Sequence, residues 1–257
     1  MDHMDQSLVR SRRVSRVSEV WAVAVSLVCL WCPCMSAPTG KPLWVDPCGG
    51  NIAPSGPHHD PELNPPSDSE LLTGIIISAK SALDYAKQFS ESYVRKTFKQ
   101  DMRTHHSTWL TTRYPWLPSK SDIPKELGEL TPSMHFDELG NLDQSLLKSY
   151  GYLQRIAVGL EQVHHDKTRE SEEFSEEFET VMYKLRQVLC EVNNALLERN
   201  PSDPIVDIER SIMDKEFRAI SEKTYRHLRD WFIFRDFMNC LEYLIQLCEF
   251  YKTSGQS

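Results

Sequence analysis

The sequence predicts an all-α protein, a long-chain four-helix bundle of up-up-down-down topology with two long crossover loops. Three observations predict it. Four stretches repeat apolar residues at three- and four-residue steps. No stretch alternates apolar and polar residues as a half-buried strand does. One short link, flanked by two long connections, joins the four stretches.

The chain has 257 residues, of which 40% are apolar, enough to fill a substantial core. It opens with Arg10, Arg12, Arg13 and Arg16, followed by the apolar run 21–31, the small residues Ser36 and Ala37, and Pro38. This order of charge, apolar core and cleavage site predicts a secretory signal peptide over 1–37. The run is shorter than the roughly 20 residues of a bilayer span, so an uncleaved anchor is the competing expectation. Residues 38–68, rich in Pro, Gly, His and Asp, read as a flexible leader.

The four-helix domain is expected over 69–251, followed by a tail at 252–257. Ser67 and Glu70 form a capping-box signature ahead of the first helix, 69–99, whose stripe runs through Leu72, Ile75, Ile76, Ala79, Leu83, Ala86, Phe89, Tyr93 and Val94. A connection of about 40 residues follows. Its four prolines (Pro115, Pro118, Pro124 and Pro132) exclude a long helix, and it carries Trp109, Trp116 and Phe136. Asn141 offers an N-cap to the second helix, 142–166, with Leu142, Leu146, Tyr150, Leu153, Ala157, Leu160 and Val163 on one face. Gly151 and Gly159 weaken that helix by about 1 kcal/mol each and leave room for a neighbouring helix.

Glu170, Glu172, Glu173, Glu176 and Glu177 crowd the start of the third helix, 174–198, where the helix dipole favours negative charge. Its face is Phe178, Met182, Leu185, Leu189, Val192 and Leu196, and Asn200-Pro201 ends it. Asp203-Pro204 is expected to open a short helical piece with Ile205, Ile208, Ile212 and Met213. The last helix spans 221–251.

Topology follows from reach. A helix of this length spans about 40 Å, whereas the link between the second and third helices reaches at most about 20 Å. Those two helices must therefore be antiparallel neighbours. The other two connections are long enough to run the full length of the bundle. An up-down-up-down arrangement is the alternative, but it leaves the long connections without a purpose.

Composition excludes several functions. The formal charge is −8, and loss of 1–37 removes four arginines against three acids, taking it to about −9. Such a chain has no electrostatic footprint for nucleic acid. Phosphate-binding loops, nucleophile elbows and zinc-protease motifs are missing from the sequence, so no catalytic residues, cofactor or small-molecule substrate are expected. The pairs His58-His59, His105-His106 and His164-His165 lack the i, i+4 spacing of helical metal ligands, and no metal is expected. Loss of 1–37 also leaves Cys48, Cys190, Cys240 and Cys248 available for disulfides, with three connectivities open.

The last helix is apolar on two sides. Trp231, Phe234, Met238, Leu241, Ile245 and Cys248 form its core face, while Phe232, Tyr243 and Phe250 fall on the opposite side. Either the first long connection, with Trp109 and Trp116, covers that second stripe, or the stripe is an interface for a partner.

Two segments carry a family resemblance. IIISAKSALDYAKQFSESYVRKTFK (75–99) and DWFIFRDF (230–237) resemble the first and last helices of interleukin-6-type cytokines, in the branch of ciliary neurotrophic factor, cardiotrophin-like cytokine and leukemia inhibitory factor. Helix order and spacing agree with that resemblance over about half the chain. It implies a secreted signalling ligand acting in growth control or immunity. Its partners would be class I cytokine receptor chains of the shared signal-transducer and leukemia-inhibitory-factor-receptor type, and its output Janus kinase and STAT activation. In that branch a Phe-x-x-Lys pair near the start of the last helix meets the receptor. Here those positions hold Thr224 and His227, a departure that leaves receptor choice open, with Tyr225, Arg226 and Arg229 near enough to supply an aromatic ring and a cation. A secreted amphipathic lipid carrier and a membrane-anchored bundle are the rival readings.

Overall fold

A computed structural model of the chain describes residues 40–50 and 65–254. The expected signal peptide, residues 51–64 of the expected leader and His58-His59 lie outside the described residues. The described chain is all-helical. Its elements are α1 (Asp68–Phe98), α2 (Met102–Thr108), α3 (Ser133–Glu138), α4 (Leu142–Arg169), α5 (Ser175–Arg199), a single 3-10 turn at Arg210–Ile212, α6 (Lys215–Arg218) and α7 (Lys223–Ser254). The four long helices are the four expected ones. The last continues to Ser254, into the expected tail.

Local chemistry fixes the starts of α1 and α4. The Ser67 N–H donates to Glu70 Oε2 at 2.8 Å, and the Glu70 N–H donates to Ser67 Oγ at 3.3 Å, completing the capping box. Asn141 Oδ1 accepts from the Gln144 N–H at 2.9 Å. The start of α5 is different: Phe174 holds a left-handed backbone, φ 73°, with no side-chain cap. Packing holds it there. Its ring lies 5.5 Å from those of both Phe89 and Tyr93.

α1 packs against α5 and α7, and α4 packs against the same two helices. The expected apolar stripes fill the space between them, every member buried except half-buried Met182. Polar pairs stitch the contacts. Lys80 meets Glu249 at 2.8 Å and Tyr93 OH donates to the His227 carbonyl at 3.5 Å, joining α1 to α7. Lys184 meets Ser81 at 3.2 Å, and Arg199 meets Asp68, joining α1 to α5. Ser145 and Tyr251 share a 2.8 Å hydroxyl bond between α4 and α7. Arg199 also reaches Asp143 and so joins α5 to α4. A Cβ on Gly159 would stand 2.9 Å from Ile233 and 2.8 Å from the Trp116 ring, so glycine permits this approach of α7 and the loop to α4. Gly151 has nothing within 4 Å and plays no such part.

Three expectations need correction. The leader is not uniformly free, because residues 40–50 form a strap across α4 and α5. Trp44 is fully buried, and its Nε1 donates to the Ile208 carbonyl at 2.6 Å. The expected helical piece from Asp203 is irregular until the single 3-10 turn. The Ile208 N–H donates to Gln154 Oε1 at 3.0 Å, and its carbonyl is taken by Trp44, so side chains replace the helical bonds. Of the four available cysteines, Cys48 and Cys190 form a disulfide with Cα atoms 4.8 Å apart, while Cys240 and Cys248 are free and buried. The latter two stand eight residues apart on α7, about 12 Å along the axis, beyond disulfide reach.

Candidate functional site

The long connection at 99–141 lies over α7 and is laced to it by buried polar contacts. Lys125 is fully buried, its Nζ 2.7 Å from Glu242 and 2.8 Å from Asn239 Oδ1. The Glu242 carboxylate also accepts from the Gly128 N–H at 2.7 Å. Arg235 donates to the Trp109 and Thr112 carbonyls at 2.6 Å each and pairs with Asp236 at 2.7 Å. Further along, His135 Nε2 lies 3.0 Å from Tyr243 OH. A backbone without regular hydrogen bonds thus finds partners on α7 instead.

This cover is the first of the two expectations for the second stripe, and it corrects the other, an exposed aromatic interface. Phe232 packs beneath Trp109 and Tyr114, with ring centroids 5.6 Å away in each case. Tyr243 is 1% exposed beneath His135 and Phe136. Phe250 is half-buried, stacked on Phe136 at 5.2 Å. Burial also pushes the Tyr243 phenol upward, well away from ionisation. No partner reaches Phe232 or Tyr243 while the connection is in place.

The first turns of α7 present the opposite picture. Thr224 and Tyr225 are exposed, Tyr225 at 65%. The Thr224 and Tyr225 N–H groups donate to Glu222 at 3.0 and 2.9 Å, which caps the helix. Just inward, the cations face the link between α4 and α5. Arg226 meets Glu170 and lies 3.2 Å from Glu172. His227 Nε2 stands 3.3 Å from Glu172, and Lys223 stands 3.4 Å from it. Arg229, fully buried, pairs with Asp166 at 2.9 Å and Asp230 at 2.6 Å, and Lys167 bridges Glu172 and Asp230 at 3.4 Å each.

Electrostatics follow from this ring of charge. Burial works to raise the Glu172 carboxyl, but Lys167, His227 and Arg226 outweigh it and hold it down at about 2. Burial and nearby Lys167 lower His227 despite its bond to Glu172. On α2, His105 is stacked on Phe98 at 4.0 Å and lies 5.2 Å from Trp231, and burial lowers it to about 4.

The eight residues singled out by sequence therefore separate. Thr224 and Tyr225 are surface groups, and His227 is half-buried. Arg226 and Arg229 are corrected from candidate contacts to structural cations, because their guanidinium groups are buried and already bound to carboxylates. Sequence reasoning missed those partners. Glu170 and Glu172 read as charges for the dipole of the third helix, yet they turn toward α7; Glu176 and Glu177 occupy the first turn of α5. The complementary signs of the link and of residues 223–229 were the available signal.

Among the described residues no group of three or more His, Cys, Asp or Glu is placed to hold a metal ion, and no helix is long and apolar enough to cross a membrane. Compared with known proteins, the chain matches no family model, no curated protein and no solved structure.

Proposed function

We propose that this protein is a secreted helical cytokine that assembles class I cytokine receptor chains of the shared signal-transducer and leukemia-inhibitory-factor-receptor type, triggering Janus kinase and STAT signalling. The observation that carries the reading is the helix neighbour pattern. Pairs 80–249 and 93–227 run in opposite senses along α1 and α7, and 68–199 and 81–184 do so along α1 and α5. Pairs 145–251 and 166–229 repeat this for α4 and α7. Those senses support an up-up-down-down bundle, the architecture of long-chain cytokines. In this reading α1 and α4 point one way, α5 and α7 the other.

Tyr225 and Thr224 then form the receptor-facing point. A large exposed ring on a rigid helix start, held in place by ion pairs behind it, suits an interface anchor. The protein acts by binding, with no catalytic step or cofactor. Purified protein is added to cells bearing each receptor combination of the branch, and STAT phosphorylation is measured beside receptor pull-down. Phosphorylation that Tyr225→Ala abolishes is the expected result. Silence from every receptor combination overturns the reading.

A further inference from the structure

We propose that the cleft bounded by α4, α5 and the 40–50 strap binds an amphipathic organic anion, a carboxylate on an apolar body, with Arg186 meeting the carboxylate. The cleft has a volume of about 600 Å3, within the range of about 300–1,000 Å3 usual for small-molecule sites. It contains no residue of α7 or of the 99–141 connection, so it is separate from the Tyr225 surface.

Its two kinds of wall define the ligand. Leu43, Met182 and Tyr183 supply apolar surface, and Tyr183 is largely exposed at 60%. Charge is biased the other way from the chain as a whole. Lys41, Arg169, Arg186 and Arg210 line the cleft with Glu161 and Glu179, but Lys41 already meets Asp46 at 3.2 Å and Arg169 meets Glu170 at 2.9 Å. Glu161 is committed to Arg210, which it binds through both oxygens at 2.6 and 2.7 Å.

Arg186 stands apart from the arginines of the α7 end. Arg226 and Arg229 each hold carboxylates. Arg186 is half-buried, and its Nε donates to the Pro47 carbonyl at 2.7 Å. Among the described residues no carboxylate lies within ion-pair distance of it. A half-buried guanidinium held against the strap backbone at Pro47 and Gly49, at the edge of an apolar cleft, gains most from an anion that brings its own apolar body. The rest of the body lies along Leu43, Met182 and Tyr183 within the cleft itself.

Decanoate is the probe, titrated into the full chain with calorimetry and with amide NMR shifts as readouts. Saturable one-to-one binding is expected, with shifts confined to α4, α5 and the strap. Decanol, which lacks the charge, and the Arg186→Gln variant should each weaken binding about tenfold. Tyr183→Ala, at an exposed position that leaves the fold intact, should weaken it severalfold. Non-saturable uptake, equal affinity for decanoate and decanol, unchanged affinity in both variants, or shifts centred on α7 would each overturn the proposal.

Discussion

The first turns of α7 and its middle meet the rest of the molecule through different chemistry. At 223–230 the helix turns cations toward carboxylates of the α4–α5 link and leaves Tyr225 in solvent. At 231–245 it is buried on both sides, one by the apolar core of the bundle and the other by the 99–141 connection, which covers Phe232 and Tyr243 and satisfies Arg235, Asn239 and Glu242. Aromatic content alone therefore misleads about where a surface lies. Tyr243 and Tyr225 share a helix, yet only the ring in the charged segment is free.

The largest expected effect falls on the covered half. Tyr243→Ala should cost about 3–4 kcal/mol in urea unfolding, as large-to-small core changes do. A variant as stable as the parent would break the comparison by showing that the connection does not cover α7. Next comes the charged half. Arg229→Met takes the guanidinium from Asp166 and Asp230, leaving Asp230 with Lys167 at 3.4 Å and Asp166 with Gln162 at 2.9 Å, and should cost about 3 kcal/mol, with most of the loss recovered when both aspartates are made Asn.

Acid should act in two steps, one at α2 and one at the charged end. His105 is lowered to about 4 in the folded state, so the unfolded chain binds its proton first, and stability falls as pH drops from 6.5 toward 4. Glu172 is held at about 2, so its contribution is full above 4.5 and is lost as pH falls from there toward 2. Melting temperature against pH should show both, and His105→Gln should shrink the upper step, which the lowered His106, His135 and His227 share, and leave the lower one unchanged. The smallest stability effect belongs to Tyr225→Ala, under about 0.5 kcal/mol, with receptor binding lost. A large fall in melting temperature would mean that Tyr225 is structural.

The four long helices were legible because their periodicity, caps and breakers act locally. Ser67 with Glu70, and Asn141 with Gln144, announced two starts that the structure builds. The start of α5 was less legible, because Phe174 has no capping side chain and is held by rings from α1. Nothing local marked Trp44 as core, since its neighbours are those of a leader and its contacts lie more than a hundred residues away. For the same reason the sequence located the start of α7 as a candidate surface but could not tell bound cations from free ones. Arg226, Arg229 and Tyr225 look alike in a string of residues and differ only in what faces them.

The strap carries a consequence for how much of the chain makes a self-sufficient bundle. A truncation beginning at residue 65, where the helical repeat starts, would look complete by pattern. It would lack the indole that fills the space between α4, α5 and Ile208, and it would strip Arg186 of its carbonyl partner. It would also leave Cys190 with an unpaired thiol on the side of α5, ready to join one molecule to another. A chain cut back to residue 65 should therefore melt at a lower temperature than one that keeps the strap, and it should be recovered as a covalent dimer under oxidising conditions.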